Sequence, residues 1–183
     1  MAQYNGYRIV NHQSYDAFKQ ATINNGWNVD YSFGNQCFDL VSLCYYQYGD
    51  TLYTGPQGRA KECWTVSRAR NEQNPFYAVE GKENIKRGDI IVLNGTSQHP
   101  TGHICFADED YNGTDRLNTF GQIPSLHGIN GTAQVDEIGI SLFLGIFRNA
   151  DWYVPPEPTP TTEKKKKKFP WAVAWNHWDG FKH

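Results

Sequence analysis

The sequence predicts an α+β fold in which helices come first and an antiparallel sheet follows. The first 70 residues carry apolar side chains at helical spacing, whereas short apolar runs separated by turn signals begin near residue 86. The chain has 183 residues, of which 39% are hydrophobic and 20% are charged. That length and composition allow one folded domain with a short appendage.

Three helices are predicted in the first half of the chain. Ser14 can cap a helix over residues 15–24, with Gly26 as its stop. A second helix begins at Cys37 and ends at Gly49, and a shorter third helix covers about Arg59 to Arg70. The apolar face of the second helix consists of Cys37, Leu40, Val41, Cys44, Tyr45 and Tyr48.

Four strands are predicted after the turn Lys86–Asp89. They cover residues 90–93, 103–107, 116–120 and 141–148. Asn-Gly-Thr triplets begin at Asn94, Asn112 and Asn130, between these runs. The triplets also match the glycosylation sequon, but Asn-Gly is a strong hairpin signal, so we favour turns.

Charge and composition divide the chain into three parts. Residues 1–154 hold 11 basic and 16 acidic side chains, and we expect them to form the folded domain. Residues 155–168 combine a Pro/Thr stretch with five lysines, which predicts a linker. Residues 169–183 hold three of the six tryptophans and predict a docking peptide. The lysines can be a solvated spacer or can attract anionic polymers.

Charge, apolar runs and cysteine spacing argue against several classes of protein. The acidic body argues against nucleic-acid binding. No apolar run is long enough to predict a membrane span, and the N-terminal residues do not resemble a Sec signal peptide. The four cysteines form no CxxC pair, and we expect at least one free thiol.

Cys37 is a candidate nucleophile because it stands in the first turn of a predicted helix. The helix dipole and the unpaired backbone N–H groups there stabilise a thiolate, and they can also stabilise an oxyanion. Gln36 can add a side-chain donor. The alternative is that Cys37 is a small core residue on the apolar face, as Cys44 is one heptad later.

His103 is a candidate general base at the start of an apolar strand. Its neighbours can anchor it in the sheet while its ring faces a cleft. Alternatively, it is a half-exposed histidine at a strand end. A metal site with His99 is disfavoured because Pro100 prevents a continuous helix between the two histidines.

Three motifs together resemble the CHAP family, the cysteine, histidine-dependent amidohydrolases/peptidases. These are the Gly-x-Gln-Cys-x-Asp-Leu run at 34–40, the strand entry at 86–92, and Gly-His-Ile at 102–104. The family is related to NlpC/P60 proteins and distantly to papain, and the resemblance covers about residues 10–150. It implies a papain-like fold, Cys37 as nucleophile, His103 as base, and Gln36 with the Cys37 backbone at the oxyanion. It implies no required cofactor.

The resemblance also implies a third residue that orients the histidine, a Glu, Asp or Asn on the next strand. Gln122 matches the family string, but Gly121 and Ile123 stand where the acid and the Asn are expected. We therefore predict Asn118 as the third member, with Gln122 as second choice. Two aspartates past the His103 strand rank lower: Asp108 and Asp110.

Some members of the family bind calcium just before the nucleophile. Here Asn28, Asp30 and Ser32 offer oxygen donors at alternate positions, and Asp39 adds a carboxylate. The resemblance therefore predicts a weak Ca²⁺ site at these four residues. An Asn/Asp-rich turn without a metal is the alternative.

Family members cleave amide bonds of bacterial peptidoglycan, and many are phage lysins. The resemblance implies a wall hydrolase, and we expect a tail-associated lysin for host entry, bound to other tail proteins through 169–183. Such a protein would be found in the virion, or in the host cytoplasm before release. The alternatives are an endolysin for lysis, a cellular amidase or trypanothione-type hydrolase, and a CHAP-like wall-binding protein that has lost its chemistry.

Overall fold

A computed structural model describes residues 10–70 and 75–153, together with the backbone of two short strands that precede them. The predicted linker (155–168) and docking peptide (169–183) lie outside the described residues. Within the described part of the chain, no helix is long and apolar enough to cross a membrane.

Helices precede the main sheet, as the sequence predicts. The helices are α1 (Tyr15–Thr22), α2 (Cys37–Gln47), α3 (Glu62–Arg68) and α4 (Pro124–His127). The strands are β1 (Gln3–Tyr4), β2 (Tyr7–Arg8), β3 (Phe76–Val79), β4 (Ile90–Leu93), β5 (His103–Ala107), β6 (Arg116–Gly121), β7 (Gln134–Gly139) and β8 (Phe143–Asn149). A 3₁₀ turn covers Lys82–Asn84. This order confirms the α+β class.

Strands β3 to β8 form one antiparallel sheet in the order β3-β8-β4-β5-β6-β7. Because side chains alternate along a strand, the sheet has two apolar faces. One face packs on the helices, and the main core there includes Val92, Ile104, Phe106 and Phe120. The second cluster includes Leu93, Cys105, Ala107 and Leu117 on the other face.

Helix α2 is the element that presses on the centre of this sheet. Ser14 caps α1 through its hydroxyl, as predicted, whereas α2 is buried along most of its length. Leu40, Val41 and Tyr45 are fully buried, and each such side chain contributes about 2 kcal/mol of hydrophobic stabilisation. Burial of this face fixes the rotation of α2, and therefore the direction of its first residue.

A buried ion pair fastens the turn that precedes β4. Arg148 donates from Nε and Nη2 to the two carboxylate oxygens of Asp89, each at 2.8 Å. Asp89 also accepts the backbone N–H of Lys86 at 2.7 Å, which closes the predicted turn Lys86–Asp89. Burial raises the pKa of Asp89, and its bonds to Arg148 oppose that rise.

The predicted elements differ from the observed ones mainly at their ends. The first helix stops at Thr22 rather than residue 24, and the third covers Glu62–Arg68 rather than 59–70. The last strand begins at Phe143 rather than residue 141. All three Asn-Gly-Thr triplets lie in connections between elements, as expected.

Six elements in the described part of the chain were not predicted: β1, β2, β3, the 3₁₀ turn, α4 and β7. Strand β7 is an edge strand whose half-buried positions are Gln134, Asp136 and Ile138, while Val135 is exposed. Two of the three inward positions are polar, so the apolar alternation that marks a strand is missing. Pairing with β6 along its whole length forms this strand instead.

Candidate active site

Cys37 is the first residue of α2, as the sequence predicts. The carboxylate of Asp39 accepts the backbone N–H of Gln36 at 2.8 Å and so caps the helix. Backbone N–H groups of Ile104, Phe38 and Cys37 itself bond to the thiol and favour its thiolate. Burial is the larger effect, and it raises the pKa of Cys37.

The loop before Cys37 is held by a buried glutamine from the end of β6. Gln122 donates from Nε2 to the carbonyls of Gln36 (2.8 Å) and Trp27 (2.9 Å), and its Oε1 accepts the N–H of Trp27 at 2.7 Å. Both the nitrogen and the oxygen of this side-chain amide are therefore hydrogen-bonded to the loop. Gln122, the second choice for the third catalytic residue, therefore serves as a clamp on the nucleophile loop.

The side chain of Gln36 has a partner within its own loop. Its Nε2 donates to the carbonyl of Phe33 at 2.7 Å, and the residue lines the cleft next to Cys37. It lies where an oxyanion donor is expected, and Nε2 carries a second N–H beyond the one that it donates to Phe33.

His103 opens β5 and lies in the same cleft as Cys37. The backbone amide of its neighbour Ile104 reaches the Cys37 thiol, which joins the strand to the helix end. The cleft has a volume of about 580 Å³. Burial lowers the pKa of His103 to about 4, and the negative charge of Asp136 opposes that fall. At neutral pH the imidazole is therefore a neutral base beside a neutral thiol.

The Nε2 atom of His103 is buried and, among the described residues, has no hydrogen-bond partner. Buried ring nitrogens are bonded in most proteins, so this one requires an explanation.

Asn118, the predicted third member, is not brought to His103. It is exposed, and its side chain donates to Glu109 at 3.2 Å. Its carbonyl accepts the N–H of Asp108, just past the end of β5, whereas His103 begins that strand. The antiparallel register thus places Asn118 at the opposite end of β5 from His103.

The aspartates ranked below Asn118 have other partners. Asp108 accepts hydrogen bonds from Tyr15 at 2.8 Å and from Lys19 at 2.7 Å. Asp110 pairs with Lys86 at 2.8 Å. Both belong to the turn between β5 and β6, at the end remote from His103.

Two residues near the cleft were missed by the sequence analysis: His127 and Asp136. The Nε2 atom of His127 lies 3.1 and 3.0 Å from the two carboxylate oxygens of Asp136. His127 ends α4 and Asp136 is on β7, and neither element was predicted. Without a prediction of α4 and β7, the sequence gives no indication that these two residues meet.

The four residues predicted to bind calcium lie in the loop that leads to Cys37. Asp39 accepts the N–H groups of Val29 (2.9 Å) and Asp30 (3.4 Å) in addition to that of Gln36. Burial raises the pKa of Asp39 to about 6, and the nearby charge of Asp30 adds to the rise. Asp30 in turn accepts the N–H of Ser32 at 2.7 Å.

These contacts fit a divalent cation only weakly. Two carboxylates repel each other here, which a cation would relieve, and oxygen donors suit Ca²⁺. However, backbone N–H groups already use most of the Asp39 lone pairs. The described residues also contain no group of three or more His, Cys, Asp or Glu side chains arranged for a metal.

The loop before α2, and helix α4 with the loop that follows it, expose large apolar side chains beside the cleft. We call this surface the apolar rim, and its members are Tyr31 (66% exposed), Phe33 (87%), Leu126 (61%) and Ile129 (63%). The loops touch, since the N–H of Asn35 donates to the carbonyl of Ile129 at 2.7 Å. Tyr31 and Phe33 have φ angles of 58° and 59°, a region that such side chains rarely adopt.

Comparison with protein families gives one match. Residues 25–122, more than half of the 183-residue chain, match the CHAP domain. No curated protein matches the chain.

Among solved structures, the crystal structure of the wild-type endolysin LysIME-EF1 is similar, with a TM-score of 0.57 and 18% identity. The match covers 81% of this chain and 65% of that one. Ly7917 with the hydrolyzing product of MDP has a TM-score of 0.48 and 19% identity, over 75% of this chain and 61% of that one. A second Ly7917 structure has a TM-score of 0.46 and 20% identity, over 72% and 60%. This chain thus spans less than two thirds of these proteins, and the likeness to LysIME-EF1 shows a shared fold.

Proposed function

Because this chain belongs to the CHAP domain family, we propose that it is a peptidoglycan hydrolase that cleaves amide bonds with Cys37 and His103. The observation that carries the proposal is the meeting of these two residues in one cleft, with the Ile104 amide directed at the thiol. A helix N-terminus, a nucleophilic side chain and a neutral imidazole are the parts that amide cleavage by a thiol requires.

The reaction begins with proton transfer from the Cys37 thiol to His103. Since Nε2 is buried, Nδ1 is the ring nitrogen we assign as the base. Burial favours the neutral pair, so the transfer accompanies attack rather than preceding it. The sulfur attacks the amide carbonyl carbon, and N–H groups at the start of α2 stabilise the oxyanion.

The same histidine completes the cycle. His103 gives its proton to the leaving amine, and an acyl-thioester remains on Cys37. His103 then takes a proton from water as it attacks the thioester. Release of the carboxylic acid returns the thiol and the neutral imidazole.

The apolar rim supports a polymeric substrate. Gln36 and Leu126 both line the cleft. A wall strand bound across Cys37 would therefore continue onto the loop of Phe33 and onto α4 at Leu126. Exposed apolar patches of this kind mark binding surfaces, and aromatic rings offer flat faces to sugar or peptide groups. We therefore assign the rim to peptidoglycan binding outside the bond that is cut.

A Ca²⁺ ion fits this proposal only in a structural role. Asp30 and Asp39, with Asn28 and Ser32, would hold it, and it would neutralise the two carboxylates of the loop that leads to Cys37. The chemistry itself needs no metal.

We further assign the protein to the phage tail, as a lysin for host entry. The Trp-rich composition of 169–183 supports a partner-binding peptide. The test is co-purification with phage particles after high-salt washing. Presence only in the lysate would favour an endolysin for host lysis instead.

The experiment that tests the hydrolase uses purified Gram-positive peptidoglycan, with turbidity and mass spectrometry of released fragments. We expect new peptide termini from the wild type and a loss of at least about 1000-fold in rate for Cys37→Ser. Cys44→Ala is the matched control, because this buried thiol lies on the same helix and touches no part of the cleft. It should keep its activity. No release by the wild type from several wall types would favour a wall-binding protein without chemistry.

A further inference from the structure

The buried Nε2 atom of His103 needs an acceptor, because with Nδ1 as the base it carries a proton both before and after the proton transfer. A buried N–H without an acceptor costs about 1–3 kcal/mol, and the positive charge that the ring gains on protonation increases the need for a partner. No hydrogen bond to this atom is formed within the described residues. Stabilising the protonated form therefore requires a group on the Nε2 side.

One carboxylate lies on the right face of the sheet. Residues at every second position of β5 share a face, so His103, Cys105 and Ala107 point the same way. Ala107 pairs with Thr119, and Thr119 pairs with Asp136. Cys105 and Thr119 are hydrogen-bonded through their side chains, which confirms that this face is continuous from β5 to β6.

The space between His103 and Asp136 contains a glycine, which has no side chain to fill it. Gly121 is on the same face, two residues after Thr119, and a Cβ there would meet only atoms of Cys105 within 4 Å, at 3.1 and 3.8 Å. It also occupies a position at which the sequence comparison expects the acid of the catalytic group. The acid missing from β6 can thus be supplied from the next strand.

We propose that Asp136 on β7 is the positioning residue of His103 and acts on its Nε2 side across the space beside Gly121. This inference rests on the proposed hydrolase function and adds a residue to it. With no side chain at Gly121 between them, the negative charge of Asp136 acts on the ring directly. The proton that His103 accepts from Cys37 stays on the ring, and Asp136 stabilises the charge without being protonated.

The charges around His103 are consistent with this assignment. The field of Asp136 raises the pKa of His103 against the larger effect of burial. The other titratable groups that line the cleft are Cys37, His99, Arg116 and Glu137. Arg116 and Glu137 pair with each other at 2.7 Å, which leaves Asp136 as the charge that favours the imidazolium.

His127 is the hydrogen-bond partner of this carboxylate. Its Nε2 atom spans both oxygens of Asp136 and ties α4 to β7. This contact also offers a simple structural role for Asp136, as an anchor of α4. The two roles predict different results for the two partners of the pair.

The first test is Asp136→Asn in the full chain, with kcat/KM on peptidoglycan measured from pH 3 to 8. We expect kcat/KM to fall by about 10–100-fold. Because Asp136 raises the pKa of His103, its loss should also move the acidic limb of the profile to lower pH. A folded variant with the wild-type rate and profile would overturn the proposal.

His127→Leu is the matched control. It removes the tie to α4 but leaves the Asp136 carboxylate, so kcat/KM should stay within about threefold of the wild type. An equal loss in both variants, with the same acidic limb, would assign Asp136 to an anchoring role and overturn the proposal.

Two further measurements separate this proposal from the hydrolase itself. NMR titration of the His103 ring needs no activity, and its pKa should be lower in Asp136→Asn than in the wild type. Gly121→Asp in the Asp136→Asn background returns a carboxylate to the same space and should restore part of the lost rate. An unchanged His103 pKa in Asp136→Asn would sink the positioning role, while a wild type inactive on peptidoglycan would sink the hydrolase alone.

Discussion

The two halves of the candidate active site are built in opposite ways. On the nucleophile side, Gln122 and Asp39 satisfy the backbone groups of the loop before Cys37 through short hydrogen bonds. On the base side, His103 has a buried nitrogen with no bonded partner among the described residues. The loop at Cys37 is therefore held by the fold itself, whereas we propose that His103 depends on a charge from a neighbouring strand.

The clamp on the nucleophile side gives the largest expected effect on stability. Gln122→Ala leaves an N–H and two carbonyls without their partner, which should cost about 2–4 kcal/mol of the free energy of unfolding. The loop at Gln36 would also loosen, so kcat/KM should fall at least about tenfold in the fraction that remains folded. Urea unfolding and steady-state kinetics measure the two effects.

Gln47→Ala is the control for this clamp. Gln47 is also buried and bonds to the N–H of Val10 and the carbonyl of Leu43, but it lies at the far end of α2. It should lose stability without losing kcat/KM. Equal activity losses in the two variants would show that the clamp acts only through general stability.

The apolar rim should affect binding more than chemistry. Phe33→Ala removes an aromatic ring that is 87% exposed, so stability should change little while KM rises by about 3–10-fold at constant kcat. Tyr77→Ala on β3 is the matched control, since Tyr77 is 43% exposed and does not line the cleft. A change in kcat rather than KM for Phe33→Ala would contradict a binding role.

The smallest effect concerns Ca²⁺. The fold raises the pKa of Asp39 from 3.8 to about 6, so keeping this carboxylate ionised costs folding free energy, and the cost grows as the pH rises through that range. A cation would offset this cost above pH 6 and bind little at pH 5. Calorimetry with millimolar CaCl₂ should give heat at pH 7 that Asp30→Ala abolishes and Asp151→Ala, an exposed control, retains. Absence of that heat in the wild type would remove the calcium proposal.

The sequence predicts best where the signal is local. The start of α2 at Cys37 follows from apolar spacing, and β4 and β5 follow from short apolar runs between turns. Such patterns determine which side chains are buried. The sequence could therefore predict that Cys37 and His103 line the same cleft.

The third position of the site shows the limit of local signals. The side-chain carbonyl of Asn118 is suited to orienting a histidine, but strand alternation and register direct Asn118 away from His103. Asp136 lies on an edge strand with polar inward positions, which only its pairing with β6 reveals. A residue whose role depends on two tertiary partners leaves no pattern in its own segment.

The clamp also bears on the order in which the protein is assembled. Gln122 follows Trp27 by 95 positions and Gln36 by 86, so its hydrogen bonds close long loops of chain. Closing such loops costs chain entropy that only the completed sheet repays. During synthesis, the loop before Cys37 cannot form these hydrogen bonds until β6 and Gln122 have been made. Under the proposed mechanism, the growing polypeptide would therefore be unable to carry out acyl transfer before its sheet is complete.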